Sequence, residues 1–185
     1  QDNFSKNEHQ RNTWMGEFGD SYIDRNKDID KVNSQFKKLT GYSKEEILYE
    51  FFNQLNHDLS ILEVGCNVGL NLSILKKLGF HNLNGVEINE KAIQIAKQRN
   101  PEIKFFHSSI ENFETNLKFD LVFTSGVLIH INPKSIPSIL QKIYSLSDKF
   151  VFGYENFSET LTKLDYRNHS DILWKQNFPE LYRNL

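Results

Sequence analysis

Glu63, Gly65, Asn67 and Gly69 alternate with apolar residues in the stretch Ile61-Leu62-Glu63-Val64-Gly65-Cys66-Asn67-Val68-Gly69-Leu70-Asn71. A chain that leaves a buried strand and turns at once into a helix needs positive φ or a missing Cβ. Gly65 and Gly69 supply that, and Asn67 is the non-glycine type that best tolerates the left-handed region. Backbone N–H groups at the start of the helix then face the turn, where a carboxylate or phosphate is held favourably. Glu87 stands about 20 residues beyond, at the end of a second apolar run, where a carboxylate can accept hydrogen bonds from both ribose hydroxyls of an adenosine cofactor. The chemistry this spacing points to is recognition of a small anionic or zwitterionic nucleoside. His130, with an unperturbed pKa near 6.5 for its residue type, is the leading general base, in the run Ser125-Gly126-Val127-Leu128-Ile129-His130-Ile131-Asn132-Pro133.

These groups need a scaffold that brings strand ends together. Apolar patterning predicts strands over 61–64, 82–86, 103–106, 118–124 and 149–154. Between them, helices are predicted over 70–78, 90–99 (capped by Asn89 and stopped at Asn100-Pro101) and 135–147. Strands alternating with helices predict an α/β fold with a doubly wound, mainly parallel sheet. Ligands bind outside the carboxyl ends of such strands, so the loop after the fourth strand, with Ser125 and Gly126, should floor the site. Upstream, residues 1–12 are polar and expected to fray, and Gly16 and Gly19 argue for a loop with at most a short helix. Trp14, Phe18 and Tyr22 recur at helical spacing. Residues 28–33 look like a solvated link, followed by an amphipathic stretch over 34–39 and a helix over 43–55, where Ser43 and Glu46 have capping-box spacing. In the tail, 170–182 is predicted helical with a break at Pro179, and no closing strand pair is evident.

The chain divides into an N-terminal lid with covering helices (1–58), a cofactor-binding core (59–154) and a C-terminal tail (155–185), all in one domain. At 185 residues it is long enough for one full core. A net charge of −2 gives no general attraction to nucleic acid or anionic membrane. No apolar run approaches the roughly 20 residues of a membrane span, and the polar start lacks a signal-peptide core. The single cysteine, Cys66, allows no intrachain disulfide and no multi-cysteine metal cluster, which fits a cytoplasmic protein.

The order Glu63-x-Gly65-x-Asn67-x-Gly69 departs from the dinucleotide pattern, whose second glycine is here Asn67 and third Leu70. It resembles motif I of the class I S-adenosylmethionine (SAM) methyltransferases, a Rossmann-like family. Four segments together resemble one branch, the methylases associated with pseudaminic (nonulosonic) acid biosynthesis. They are Trp14-Met15-Gly16-Glu17-Phe18-Gly19-Asp20-Ser21-Tyr22-Ile23-Asp24-Arg25-Asn26, Leu62 to Asn71, Gly85-Val86-Glu87-Ile88-Asn89-Glu90-Lys91-Ala92, and Gly126 to Pro133, with a looser match at Tyr166-Arg167-Asn168-His169.

The resemblance implies a SAM-dependent methyltransferase acting on an O or N of a small molecule, a sugar or nucleotide-sugar, with no metal. It implies that Glu63, Gly65, Cys66, Asn67 and Gly69 wrap the methionine end. Glu87 with Ile88 would hold the ribose, Ser109 with Ile110 the adenine, and Tyr22, Arg25 and Asn26 would close over the methionine carboxylate. His169, Glu155 and Asp20 are alternatives to His130 as base. Two departures affect acceptor recognition: the family's Glu-Tyr-Tyr-Asn-Pro is here Gly153-Tyr154-Glu155-Asn156-Phe157, and the closing strands are missing, through an abbreviated fold or a chain that stops early. The alternatives are a SAM-binding module or truncated enzyme without catalysis, and, less favoured by the glycine pattern, a NAD-dependent oxidoreductase or epimerase.

Overall fold

Ile61–Val64 (β1) is buried at every position, as a strand with parallel neighbours and both faces covered must be. In the computed structural model, which describes residues 2–167 and 169–185 and only the backbone of residues 2–7, β1 is the centre of a five-stranded sheet. Leu83–Glu87 (β2) and Phe119–Ser125 (β4) flank it, with Lys104–His107 (β3) beyond β2 and Ser147–Tyr154 (β5) beyond β4. All four pairings are parallel. The order β3-β2-β1-β4-β5 reverses between β1 and β4, and that reversal opens a crevice at the strands' carboxyl ends.

Two cores clothe the sheet. On one face Lys44–Phe52 (α4), Leu70–Lys77 (α5) and Glu90–Arg99 (α6) pack Phe52, Leu72, Leu75 and Ala96 against Ile61 and Phe123. On the other, Ile136–Leu146 (α7) and Phe178–Arg183 (α8) bring Leu140, Ile143 and Phe178 against Leu62 and Val122. The expected caps are present: Ser43 and Glu46 form a reciprocal capping box on α4, and Asn89 Oδ1 accepts from Ala92 N at the start of α6.

The ends of the chain depart from expectation. Residues 2–12 are helical within Asp2–Met15 (α1), not frayed, because side chains of its last turns pack and hydrogen-bond on distant parts of the core. Gly16 does break the helix, but Gly19 lies inside Glu17–Asn26 (α2), where a Cβ would meet the Trp14 carbonyl oxygen at 2.0 Å. The supposed link at 28–33 is the first half of Ile29–Thr40 (α3), since Asp28 accepts from Lys31 N as its cap. In the tail, Thr162–Lys163 (β6) and Trp174–Lys175 (β7) form a small antiparallel pair outside the main sheet, and β7 lies within the stretch 170–182 expected to be helical. Pro179 begins α8 instead of breaking it, as suits a residue with no N–H to donate. No helix among the described residues is long and apolar enough to cross a membrane.

Candidate functional site

The turn after β1 takes the conformation its composition demands. Gly65, Asn67 and Gly69 have φ of 69°, 49° and 73°. Gly65 N and Cys66 N both donate to Val86 O, at 2.8 and 3.1 Å, which fastens the turn to β2. A Cβ on Gly65 would lie 2.5 Å from Val127 Cγ2, so only glycine lets the turn and the post-β4 loop approach this closely. Glu87 closes the arrangement from the end of β2: its Oε2 accepts from Asn67 N and its Oε1 from Asn89 N, each at 2.8 Å. Burial raises its pKa and those backbone donors work against the rise.

A cavity of about 220 Å³ opens over these groups at the sheet reversal. On its floor Glu63 is 2% exposed, and its Oε1 accepts from Asn71 Nδ2 at 2.6 Å. Asn71 Oδ1 in turn accepts from Lys44 Nζ at 3.4 Å. The second carboxyl oxygen, Oε2, is buried with no partner. Burial drives the Glu63 carboxyl up to about 8, opposed by the Asn71 hydrogen bond and the Lys44 charge. Burial likewise lowers the Lys44 ammonium, against the pull of Glu63 and Glu155. A buried carboxyl with one oxygen unpartnered in a cavity wall fits a cationic group on a ligand.

Along the sheet, Ile88, Ser109 and Ile110 continue the wall past Glu87. Ser109 Oγ accepts from Asn112 N at 3.3 Å, holding the turn after β3. Ser125 and Gly126 line the opposite side. Above them lies α2, with Gly19, Tyr22, Ile23 and Asn26 turned inward at helical spacing. Ile23 packs with Val68 and Ala92, and Asn89 Nδ2 donates to Trp14 O and Asp20 Oδ1, both at 3.0 Å. The N-terminal helices are therefore fastened to the glycine turn and to the end of β2.

His130 sits in a short 3-10 turn, Leu128–His130, whose Val127 N donates to Glu155 Oε1 at 3.0 Å. Its Nδ1 lies 2.8 Å from Ile172 O, and a carbonyl only accepts, so Nδ1 carries the proton and Nε2 is left as an acceptor. Burial lowers its pKa to about 4. The ring stands 4.6 Å from Trp14 and 5.5 Å from Tyr166, while Phe18 stands 4.8 Å from His169. Asn168 of the looser match lies outside the described residues.

Of the residues expected from sequence, Tyr22, Asn26, Glu63, Gly65, Cys66 and Asn67 line the cavity, as do Glu87, Ile88, Ser109, Ile110, Ser125, Gly126 and His130. Two are corrected. Gly69 is absent from the wall: a Cβ there would face the Phe105 ring at 3.1 Å, so its part is to turn the chain. Arg25 is also off the wall, because the inward face of α2 passes through Tyr22 and Asn26 and leaves it on the flank, with its Nε buried and unpartnered. Cys66 contributes no nucleophile, as its buried thiol is raised well above its ordinary pKa. Gln10, Arg11, Trp14, Lys44 and Asn71 also line the cavity and were not expected to. Trp14 was visible only as an aromatic, and the others lie in stretches that look solvated or belong to ordinary helices.

Residues 61–149 match the family model described as a methyltransferase domain. The malonyl-[acyl-carrier protein] O-methyltransferase 1 of Ilyobacter polytropus is 27% identical over 135 residues, covering 66% of this chain and 48% of that protein. The mitochondrial ubiquinone biosynthesis O-methyltransferase of Dictyostelium discoideum is 31% identical over 101 residues, 46% of this chain and 32% of that protein. The chain thus spans half or less of the length of these relatives. Among solved structures, the DhpI–SAH complex superimposes with a TM-score of 0.67 at 13% identity, covering 89% of this chain and 82% of that one. The architecture is the Rossmann-like fold of the class I methyltransferases. The part of the chain similar to the methyltransferase-domain model runs from β1 to the start of β5.

Proposed function

We propose that this chain binds SAM and transfers its methyl group to an oxygen or nitrogen of a small molecule, a sugar acid of the nonulosonic type. The observation that carries the cofactor reading is the unpartnered Oε2 of Glu63, buried in the cavity wall below a turn whose Gly65 has no room for a Cβ. The residues fit the cofactor's three parts. Glu63 and the turn suit an amino-acid end, Glu87 retains acceptor capacity toward a ribose diol, and Ser109 with Ile110 can flank an adenine. SAM, when bound, supplies a methyl on a sulfonium, displaced in line to leave a neutral thioether.

The chain's own work is positioning and proton handling. Tyr22 and Asn26 cover the amino-acid end, and α1 and α2 exclude water from the crevice. His130 Nε2 is an acceptor for a proton on the methyl-accepting group; held neutral above pH 5, it orients that group more than it removes a proton in the resting state. The sugar-acid reading is supported by the resemblance of segments outside the matched domain. Trp14, Phe18, Tyr166 and His169 of those segments meet His130, from inside the matched stretch, in one aromatic cluster beside the cavity.

Titration calorimetry with S-adenosylhomocysteine (SAH) and NAD tests the cofactor, and a labelled-SAM assay against nucleotide-activated nonulosonic acids and crude extract tests the acceptor. SAH binding with methyl transfer to a sugar acid is expected. Binding of NAD in place of SAH refutes the reading, and SAH binding with no transfer to any pool favours a module without catalysis.

A further inference from the structure

Beyond Glu63 and Glu87 the cavity has a second end, built by α1, whose polar groups are nearly all donors. Gln10 is 6% exposed, and its Oε1 accepts from Asn132 N at 2.8 Å. That contact fixes the amide's orientation, since a backbone N–H needs the oxygen, and it leaves Nε2 as a buried donor with no partner. Trp14 Nε1, which can only donate, is likewise buried and unpartnered. Arg11, one turn before Trp14, lines the same cavity and makes no ion pair or hydrogen bond among the described residues. The nearby carboxylate of Asp20 is already engaged by Asn89.

Two buried orphan donors and one unpaired guanidinium define a complement: a planar group with two acceptor oxygens and a single negative charge. We infer that the methyl acceptor carries a carboxylate and that Gln10, Arg11 and Trp14 hold it. A carboxylate fits better than a phosphate because one full positive charge faces two neutral donors, matching a charge of −1. The inference rests on the methyltransferase reading and deepens it, for it concerns what occupies the end of the cavity that SAM does not use. His130, its ring 4.6 Å from Trp14, adjoins this anchor, so a carboxylate held there would present the rest of the acceptor to the reacting centre.

The test uses the full chain saturated with SAH and matched pairs of probes: N-acetylneuraminate and its methyl ester, and benzoate and methyl benzoate, with glucose 1-phosphate as a phosphate arm. The pairs separate a sugar acid from an aromatic acid as the source of the carboxylate. In at least one pair the acid should bind about tenfold or more tightly than its ester, the scale of a charge-assisted contact. Arg11→Gln, and separately Trp14→Phe, which keeps the ring and removes the N–H, should each shrink that gap to about threefold or less.

If SAH binds but no acid outcompetes its ester, if the variants keep the preference, or if the phosphate binds most tightly, the carboxylate inference is overturned while the cofactor reading stands. Failure of SAH to bind overturns both.

Discussion

Glu87→Gln tests the site at the residue with two tasks. Its two oxygens each accept a backbone N–H at 2.8 Å, from Asn67 and Asn89. A glutamine keeps one acceptor oxygen and points an NH₂ at the other N–H, so one buried amide goes unpaired. That costs about 1–3 kcal/mol, offset in part because a buried charge disappears, and for a chain of this size each kcal/mol lowers Tm by about 2–4 °C. The same carboxylate is offered to the ribose diol, where a hydrogen bond to a charged group contributes about 1.5–3 kcal/mol, or roughly a 10- to 150-fold change in Kd. Calorimetry with SAH and 2′-deoxy-SAH, each against wild type and Glu87→Gln, forms a double-mutant cycle that removes any general distortion of the turn. Wild type should lose most of its affinity on deoxygenation, and the variant should lose little more. A coupling below about 0.5 kcal/mol means the two groups act independently, and that result would refute the ribose assignment whatever the variant does to Tm.

Gly65→Ala should abolish SAH binding and destabilise the fold: the left-handed backbone costs about 1–2 kcal/mol, and the 2.5 Å approach to Val127 adds about 1–3 kcal/mol of overpacking. Adding Val127→Ala should restore part of both in urea melts and titrations. The raised Glu63 carboxyl, about 8 in the fold against the ordinary 4.5, means the folded chain binds the extra proton between those values. Its contribution to stability is therefore full below pH 4.5 and lost as pH rises through 8; Glu63→Gln should flatten that part of the stability-versus-pH curve and leave the part due to Glu87. At pH 7 an ammonium arriving beside Glu63 should eject its proton, read as a heat that varies with buffer ionisation enthalpy; SAH binding with no proton release contradicts the assignment. With His130 held near 4, the kcat profile should show no inflection at pH 6–7, and His130→Ala should reduce turnover while leaving SAH affinity near wild type.

The parts of this molecule that were legible in its sequence are those whose cause is local. The Gly65-to-Gly69 turn, the α4 capping box and α6, bounded by Asn89 and by Asn100-Pro101, follow from residues within a few positions of where they act. Helix α1 does not: its stretch from Asp2 to Thr13 has a single apolar side chain, Phe4, and so no apolar stripe, and what fastens its end is Gln10 on Asn132 and Trp14 on Asn89, both far along the chain. Lys44 reads as the first residue of a capped surface helix, and only Asn71, 27 positions on, brings it to Glu63. The tail was misread for the same reason, since Leu164 N donates to Leu173 O across a crossing that no local periodicity announces. Residues 61–149, which match the methyltransferase-domain model, hold the glycine turn, α6 and the end of the cavity walled by Glu63 and Glu87. The opposite end is built by Gln10, Arg11 and Trp14 of α1, outside that segment, beside His130, whose Nδ1 is held by Ile172 O of the tail. On the proposed reading, substitutions at Gln10, Arg11 or Trp14 should alter acceptor binding while leaving SAH affinity, set by the glycine turn and Glu87, near wild type in the same titrations.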